Sequence, residues 1–214
     1  MAHWEKHAEK SGELKSYGIG LTKLRRFSKT VGRNPNLSRQ LWNTKIYEMK
    51  IISLLVDDPK SMTIEQAETQ VEQLQGGYLA HVFSSCGATL AKAPFVVELA
   101  DKWIGSKDAM RRRCGYGLLY EISKSKKKSA PAEEYFLAHI ARIDKMFSKQ
   151  RISALVSMAS ALMGIGMRSK RLNTAALKVA QKIGPIDFDP DGRCDPMDVA
   201  KNLTGDYAKK KLGL

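Results

Sequence analysis

Three consecutive arginines, Arg111, Arg112 and Arg113, set between Met110 and Cys114, are the side chains in this sequence best suited to grip an anion. A guanidinium is a planar fork of donors that matches two phosphate oxygens at once, and it keeps its charge at any physiological pH. The segment runs on into Tyr116, Leu118, Leu119 and Ile122, an apolar helical pattern. Successive helix residues point about 100° apart, so the three arginines cannot share one face, and at least one is directed toward the apolar side. A guanidinium there needs a partner. Either a ligand phosphate or a carboxylate of this chain, such as Asp108, would serve, and the segment alone leaves both readings open.

Other residues with chemical potential are less well placed. In residues 187–198, Asp187, Asp189, Asp191, Gly192 and Asp198 fall at positions 1, 3, 5, 6 and 12 of a calcium loop. Pro190 and Pro196 lie inside that loop, however, and Cys194 stands where an aliphatic residue belongs, so the pattern is a poor fit to calcium. His3 and His7 could share a helix face but lack a third ligand nearby. His81, beside Phe83 and Cys86, reads as a packed or surface histidine, with a place in a basic groove as the minority reading. Trp4, Trp42 and Trp103 read as packing residues. The three cysteines, 86, 114 and 194, form no C-x-x-C pair and suit a reducing compartment. No phosphate-binding loop, dinucleotide fingerprint or nucleophile elbow is present, and neither a cofactor nor a metal is expected.

The charge is regional. The 214 residues carry a formal net charge of +14, with a pI near 9.7. Residues 1–50 hold 11 basic against 4 acidic side chains and residues 107–171 hold 15 against 5, whereas 51–106 hold 3 against 7. Two basic blocks separated by an acidic one point to a polyanionic partner rather than to uniform solubilising charge. The run Lys124, Lys126, Lys127 and Lys128, ahead of a Ser-Ala-Pro break, reads more simply as a solvated face. The opening MAHWEKHAEK is polar throughout, which predicts a protein that is not exported, and a cytoplasmic location is expected.

The elements that must position these residues are helices. Apolar residues recur at three and four: Leu21, Leu24, Phe27 and Val31 in one stripe, and Ile46, Met49, Ile52 and Leu54 to Val56 in a more deeply buried one. Further helices are predicted over 63–75 (opened by Thr63), 77–92, 95–105, 107–124, 131–147, 149–165 and 169–183. No run of alternating β-branched residues occurs, so the expected class is all-α. Short connections favour stacked antiparallel pairs in a single α-solenoid domain over 1–185. Residues 186–214 read as an extended C-terminal extension with one short helix near 196–204.

Ordered pieces of the chain resemble the DNA alkylation repair (AlkD-like) family. Tyr17-Gly18-Ile19, Leu24-Arg25, Leu41-Trp42 and Tyr47-Glu48-Met49-Lys50 resemble its opening helices. Lys102-Trp103-Ile104 with the downstream Arg113, and Ala161-Leu162 through Gly164-Ile165-Gly166 to Leu172, resemble later ones, and the segment around Cys194 resembles the family's C-terminal extension. The likeness spans about residues 14–185.

The resemblance implies HEAT-like repeats whose concave basic surface holds duplex DNA, with glycosylase members excising N3- or N7-alkylpurines. An alkylated purine leaves as a neutral base, so the chemistry to be supplied is stabilisation of a cationic sugar by a nearby carboxylate. In glycosylase members that Asp lies on the helix matching 77–92, yet this sequence has no Asp or Glu between Glu72 and Glu98. Ser160 stands near the place of a second groove tryptophan, while Arg113 matches the phosphate-gripping arginine. The resemblance thus predicts a monomeric duplex-DNA binder. Arg111, Arg112, Arg113, Lys23, Arg26, Lys170 and Arg171 would meet phosphates, and Tyr78, His81 and Ser160 would line the groove. Two alternatives stand beside it: an active 3-methyladenine/7-methylguanine glycosylase with a relocated acid such as Glu48, and a helical scaffold for an acidic protein.

Overall fold

The computed structural model describes residues 14–74, 77–188 and 195–214. His3, Trp4, His7 and most of the candidate calcium loop lie outside the described residues. Those described form twelve α-helices, two short 3-10 turns and no strand beyond two isolated bridges, Lys15 with Ile46 and Ile186 with Met197. The all-α expectation holds. Packing gathers the chain into two compact units, residues 1–103 and 104–214.

The first unit contains α1 (Leu21–Val31), α2 (Pro35–Trp42), α3 (Tyr47–Val56), α4 (Ile64–Glu72), α5 (Gly77–Ser84) and α6 (Val96–Ile104), whose last residue falls in the second unit. Its hub is α3, which buries Tyr47, Glu48, Ile51, Ile52, Ser53, Leu54 and Val56 and packs against α1, α2 and α5. Serines on both helices let α2 and α3 meet closely: Ser53 Oγ donates to Ser38 O at 2.8 Å, and Ser38 Oγ reaches Ser53 O at 3.1 Å. Trp103 is wholly buried, tilted against Phe83 at 5.8 Å, with its Nε1 donating to Glu68 at 3.0 Å. Trp42 donates to Gln73 Oε1 at 2.6 Å. Both tryptophans are core residues, as expected.

Two expectations for this unit need correction. Residues 35–42 form a helix that the apolar spacing alone did not announce; Pro35 sits at its first position and Asn34 caps it, accepting from Leu37 N at 3.0 Å. The helix expected over 77–92 stops at Ser84, because Cys86 and Gly87 both adopt positive φ, 60° and 77°, and the chain resumes as a 3-10 turn at Leu90–Lys92.

The second unit contains α7 (Ala109–Ser123), α8 (Glu133–Met146), α9 (Ile152–Gly166), α10 (Lys170–Ile183), α11 (Val199–Thr204) and α12 (Asp206–Leu212). Here α9 is the hub, packed on α7, α8, α10 and α11. Its small residues make this possible. A Cβ on Gly164 would lie 2.3 Å from Ser123 Oγ and 2.7 Å from Tyr120, and one on Gly166 would lie 2.6 Å from Leu203. The segment after 186 is not an extended tail with one helix. It carries two, and α11 buries Val199 and Leu203, with Asn173 Nδ2 donating to Leu203 O at 3.1 Å.

Candidate nucleic-acid interface

In the first unit, α1 separates burial from charge by helical geometry. Leu24 and Ser28 face inward, and one helix width away Lys23, Arg26 and Lys29 are all exposed, as are Thr22 and Thr30. None of the three cations makes an ion pair among the described residues. Phe27, 55% exposed, stands beside them.

Two neighbouring arginines are committed to structure instead. Arg25 donates to Cys86 O in the strained turn that ends α5, and Arg33 Nη1 donates to Leu55 O and Asp57 O at 3.0 and 2.6 Å, satisfying carbonyls at the end of α3. Beside the expected Lys23 and Arg26, the exposed cations of this unit include Lys15, Lys29, Arg39 and Lys45. A signal for them was available. No acidic residue occurs between Glu13 and Glu48, a fact that a count over 1–50 blurs with the acids at either end.

On α5, Tyr78 is half-buried and His81 is exposed one turn on, their rings edge-to-face at 6.2 Å. No carboxylate lies on this helix. Glu48, the alternative acid, is 1% exposed, and its Oε1 accepts from Ser16 Oγ, Tyr17 N and Ile19 N at 2.6, 3.0 and 3.2 Å. It is packed but not ion-paired with Lys50, whose ammonium lies over the Trp42 ring at 4.4 Å.

In the second unit, Asp108 opens α7 as a cap rather than as a salt-bridge partner, accepting from Arg111 N at 2.7 Å. Arg111, Arg112 and Arg113 are each half-buried. The guanidinium of Arg112 is engaged within the protein: Nε donates to Gln150 Oε1 at 3.0 Å, and Nη1 to Ser106 O and Lys107 O at 3.0 and 2.6 Å. Close by, burial pushes the phenol of Tyr116 above its ordinary range, with Arg142 and Arg112 acting in the opposite direction. Lys170 and Arg171 are exposed in the first turn of α10. Arg171 pairs with Glu134 at 3.0 Å and Glu133 at 3.5 Å, a surface arrangement of small net worth. Ser160 is half-buried on α9 and donates to Val156 O at 2.9 Å.

Of the calcium pattern, Asp198 caps α11 through Lys201 N at 2.9 Å. Among the described residues, no group of three or more His, Cys, Asp or Glu is gathered to hold a metal. Among the described residues, no helix is long and apolar enough to cross a membrane.

An all-helical chain with cations massed on exposed helix faces is the architecture of a helical-repeat protein suited to an anionic partner. The comparisons define the class further. The sequence matches the family described as DNA alkylation repair enzyme over residues 2–176, and the chain belongs to that family. A solved structure superposes with a TM-score of 0.82 at 17% identity, covering 99% of this chain and 90% of that one. It is described as representing a new family of proteins related to the HEAT-like repeat DNA glycosylases with affinity for branched DNA structures. The fold is therefore that of HEAT-like helical repeats. No curated protein matches the sequence.

Proposed function

We propose that this protein binds duplex DNA through its phosphates and does so without the excision chemistry of glycosylase relatives. The observation that carries the reading is the solvent face of α1. Lys23, Arg26 and Lys29 stand there exposed and without ion pairs among the described residues, inside a stretch that contains no acid from residue 14 to 47. Such cations neutralise phosphates and release counterions, while an exposed aromatic such as Phe27 adds contact area that is indifferent to sequence.

In the second unit Arg111, Arg113, Lys170 and Arg171 would add phosphate contacts. Arg171 exchanges a weak surface ion pair for a phosphate at little cost, and Arg112 holds the loop ahead of α7 in place. Family membership supports DNA as the polyanion, and the neighbour's described affinity for branched DNA makes junctions a substrate to test beside plain duplex. The burial of Glu48 and its three donors argue against it as a relocated acid.

The test is an anisotropy titration of a labelled duplex and a three-way junction at 50 and 200 mM salt, run beside a base-release assay on methylated duplex. Each phosphate contact contributes about 0.9 to the slope of log affinity against log salt, so the Lys23→Ala, Arg26→Ala double variant is expected to shallow the slope by about 2. Affinity indifferent to salt would overturn the reading of the interface. Release of 7-methylguanine would overturn the claim of no excision.

A further inference from the structure

Within the second unit, a cavity of about 440 Å³ opens where the end of α7 and the loop after it meet the ends of α9 and α12. Four cations line it, Lys124, Lys126, Arg168 and Lys211, together with the rings of Tyr120 and Tyr207, and no carboxylate is among its lining residues. Its volume lies in the range of small-molecule sites.

Two of these cations, Arg168 and Lys124, are held in place by further contacts. Arg168 Nη1 donates to Ser123 O and Ser125 O, at 2.5 and 2.9 Å, which terminates α7, and its guanidinium lies over the Phe136 ring at 4.4 Å. Its Nε and Nη2 have no hydrogen-bond partner among the described residues, which leaves donors for a ligand. Lys124 is held over the Tyr120 ring at 4.4 Å and paired with Glu121 at 2.7 Å. Lys126 and Lys211 are exposed, and Lys211 stands 5.8 Å from the Tyr207 ring centre. Tyr207 is 71% exposed, a large ring offered to solvent that lines the same cavity as three lysines and an arginine. The absence of a side chain at Gly164 is what lets Tyr120 and Ser123 form the cavity wall. Two of the lysines that read from sequence as a solvated run thus belong to a built concavity.

Cations alone would suit any anion. Cations beside aromatic faces suit an anion attached to a planar ring, because a base stacks on tyrosine while its phosphate meets the donors. We propose that this cavity binds a nucleotide, phosphate toward Arg168 and the lysines and base against Tyr207. That chemistry is offered both by a free mononucleotide and by the 5′-phosphorylated end of a DNA strand. The proposal uses none of the residues assigned above to the duplex interface.

The experiment is a calorimetric titration of the full chain with dAMP, 5′-phosphorylated d(A)4, deoxyadenosine, inorganic phosphate and poly-glutamate. Saturable binding is expected for dAMP or the phosphorylated tetramer, with deoxyadenosine and phosphate alone each at least about tenfold weaker. Tighter binding of the tetramer assigns the site to strand ends, and equal or tighter binding of dAMP assigns it to free nucleotide. Tyr207→Ala, and separately Lys126→Gln with Lys211→Gln, should each weaken binding at least about tenfold while leaving the melting temperature unchanged, since all three side chains are exposed. The proposal is overturned if neither nucleotide saturates, if poly-glutamate binds as well as dAMP, or if these variants bind as the parent does. Duplex titration of the same variants separates the two readings. Nucleotide binding lost with duplex affinity intact confirms a separate site, and nucleotide binding absent in the parent rejects the cavity without touching the interface on α1.

Discussion

Glu48 and Tyr17 are joined through the backbone: the carboxylate oxygen Oε1 accepts the Tyr17 N–H at 3.0 Å from inside the first unit, while the Tyr17 ring is left 69% exposed. The same oxygen takes Ser16 Oγ and Ile19 N, so one buried side chain fixes the chain's entry into α1. Its other oxygen has no hydrogen-bond partner among the described residues. Glu48→Ala strands two N–H groups and a hydroxyl, and is expected to cost on the order of 2–4 kcal/mol. At about 2–4 °C per kcal/mol for a chain of this size, melting should fall by about 5–15 °C. Unchanged melting would contradict the anchoring role. Base release from methylated DNA by the parent, lost in a Glu48→Gln variant that melts as the parent does, would return Glu48 to the catalytic alternative.

Arg112 and the exposed cations of α1 have roles that a binding titration and a melting curve can separate. Arg112 ties Gln150 and two loop carbonyls together, so Arg112→Ala should destabilise the second unit by about 1–3 kcal/mol. Lys23→Ala with Arg26→Ala should leave melting unchanged while weakening duplex binding, because neither exposed side chain supports the fold. If Arg112→Ala melts as the parent does, its internal bonds are incidental.

How much of this was legible before any coordinates follows from which signals are local. Thr63 as a cap and the stripe from Leu21 to Val31 place the starts of α4 and α1 to within a residue, and the helix expected over 169–183 is α10, because capping and amphipathic spacing are written in adjacent side chains. The helix Pro35–Trp42 was missed although Asn34-Pro35 announces it, since eight residues give too short a stripe to stand out. The last helix was missed for a related reason: Asp206 at its start and Lys209, Lys210 and Lys211 in its last turn suit the helix dipole, but their charge reads as tail. The break at Cys86 was legible only through the glycine that follows it, Gly87, since a cysteine carries no signature of positive φ of its own. Site residues were legible as types and not as roles. Sequence spacing could say that one of three arginines turns inward, but only the loop carbonyls show that Arg112 is engaged there.

Packing between α7 and α9 makes a sharper claim about volume. Gly164→Ala places a methyl group against Ser123 and Tyr120 at distances no side chain tolerates, so both side chains must shift to admit it. Overpacking of this kind costs about 1–3 kcal/mol. Because Tyr120 also lines the cationic cavity, the variant should lose nucleotide affinity as well as stability. Retained melting would mean that the helices separate easily, and the close approach would then contribute little to the unit.

Stability against pH offers a check on Lys50, which is half-buried beside Trp42 on the hub helix α3. Burial holds its ammonium below the ordinary value of 10.5. In the window just beneath that value the unfolded chain binds this proton more fully than the folded chain does. Stability attributable to this group therefore rises as pH rises through the window. Lys50→Met removes the proton from both states and should abolish that part of the slope. Urea denaturation of parent and variant at pH 8 and pH 10 measures it: the difference between them should shift in favour of the parent at the higher pH. A constant difference, or one shifting toward the variant, would mean that the contact with Trp42 outweighs desolvation and that the charged form of Lys50 is the one the fold prefers.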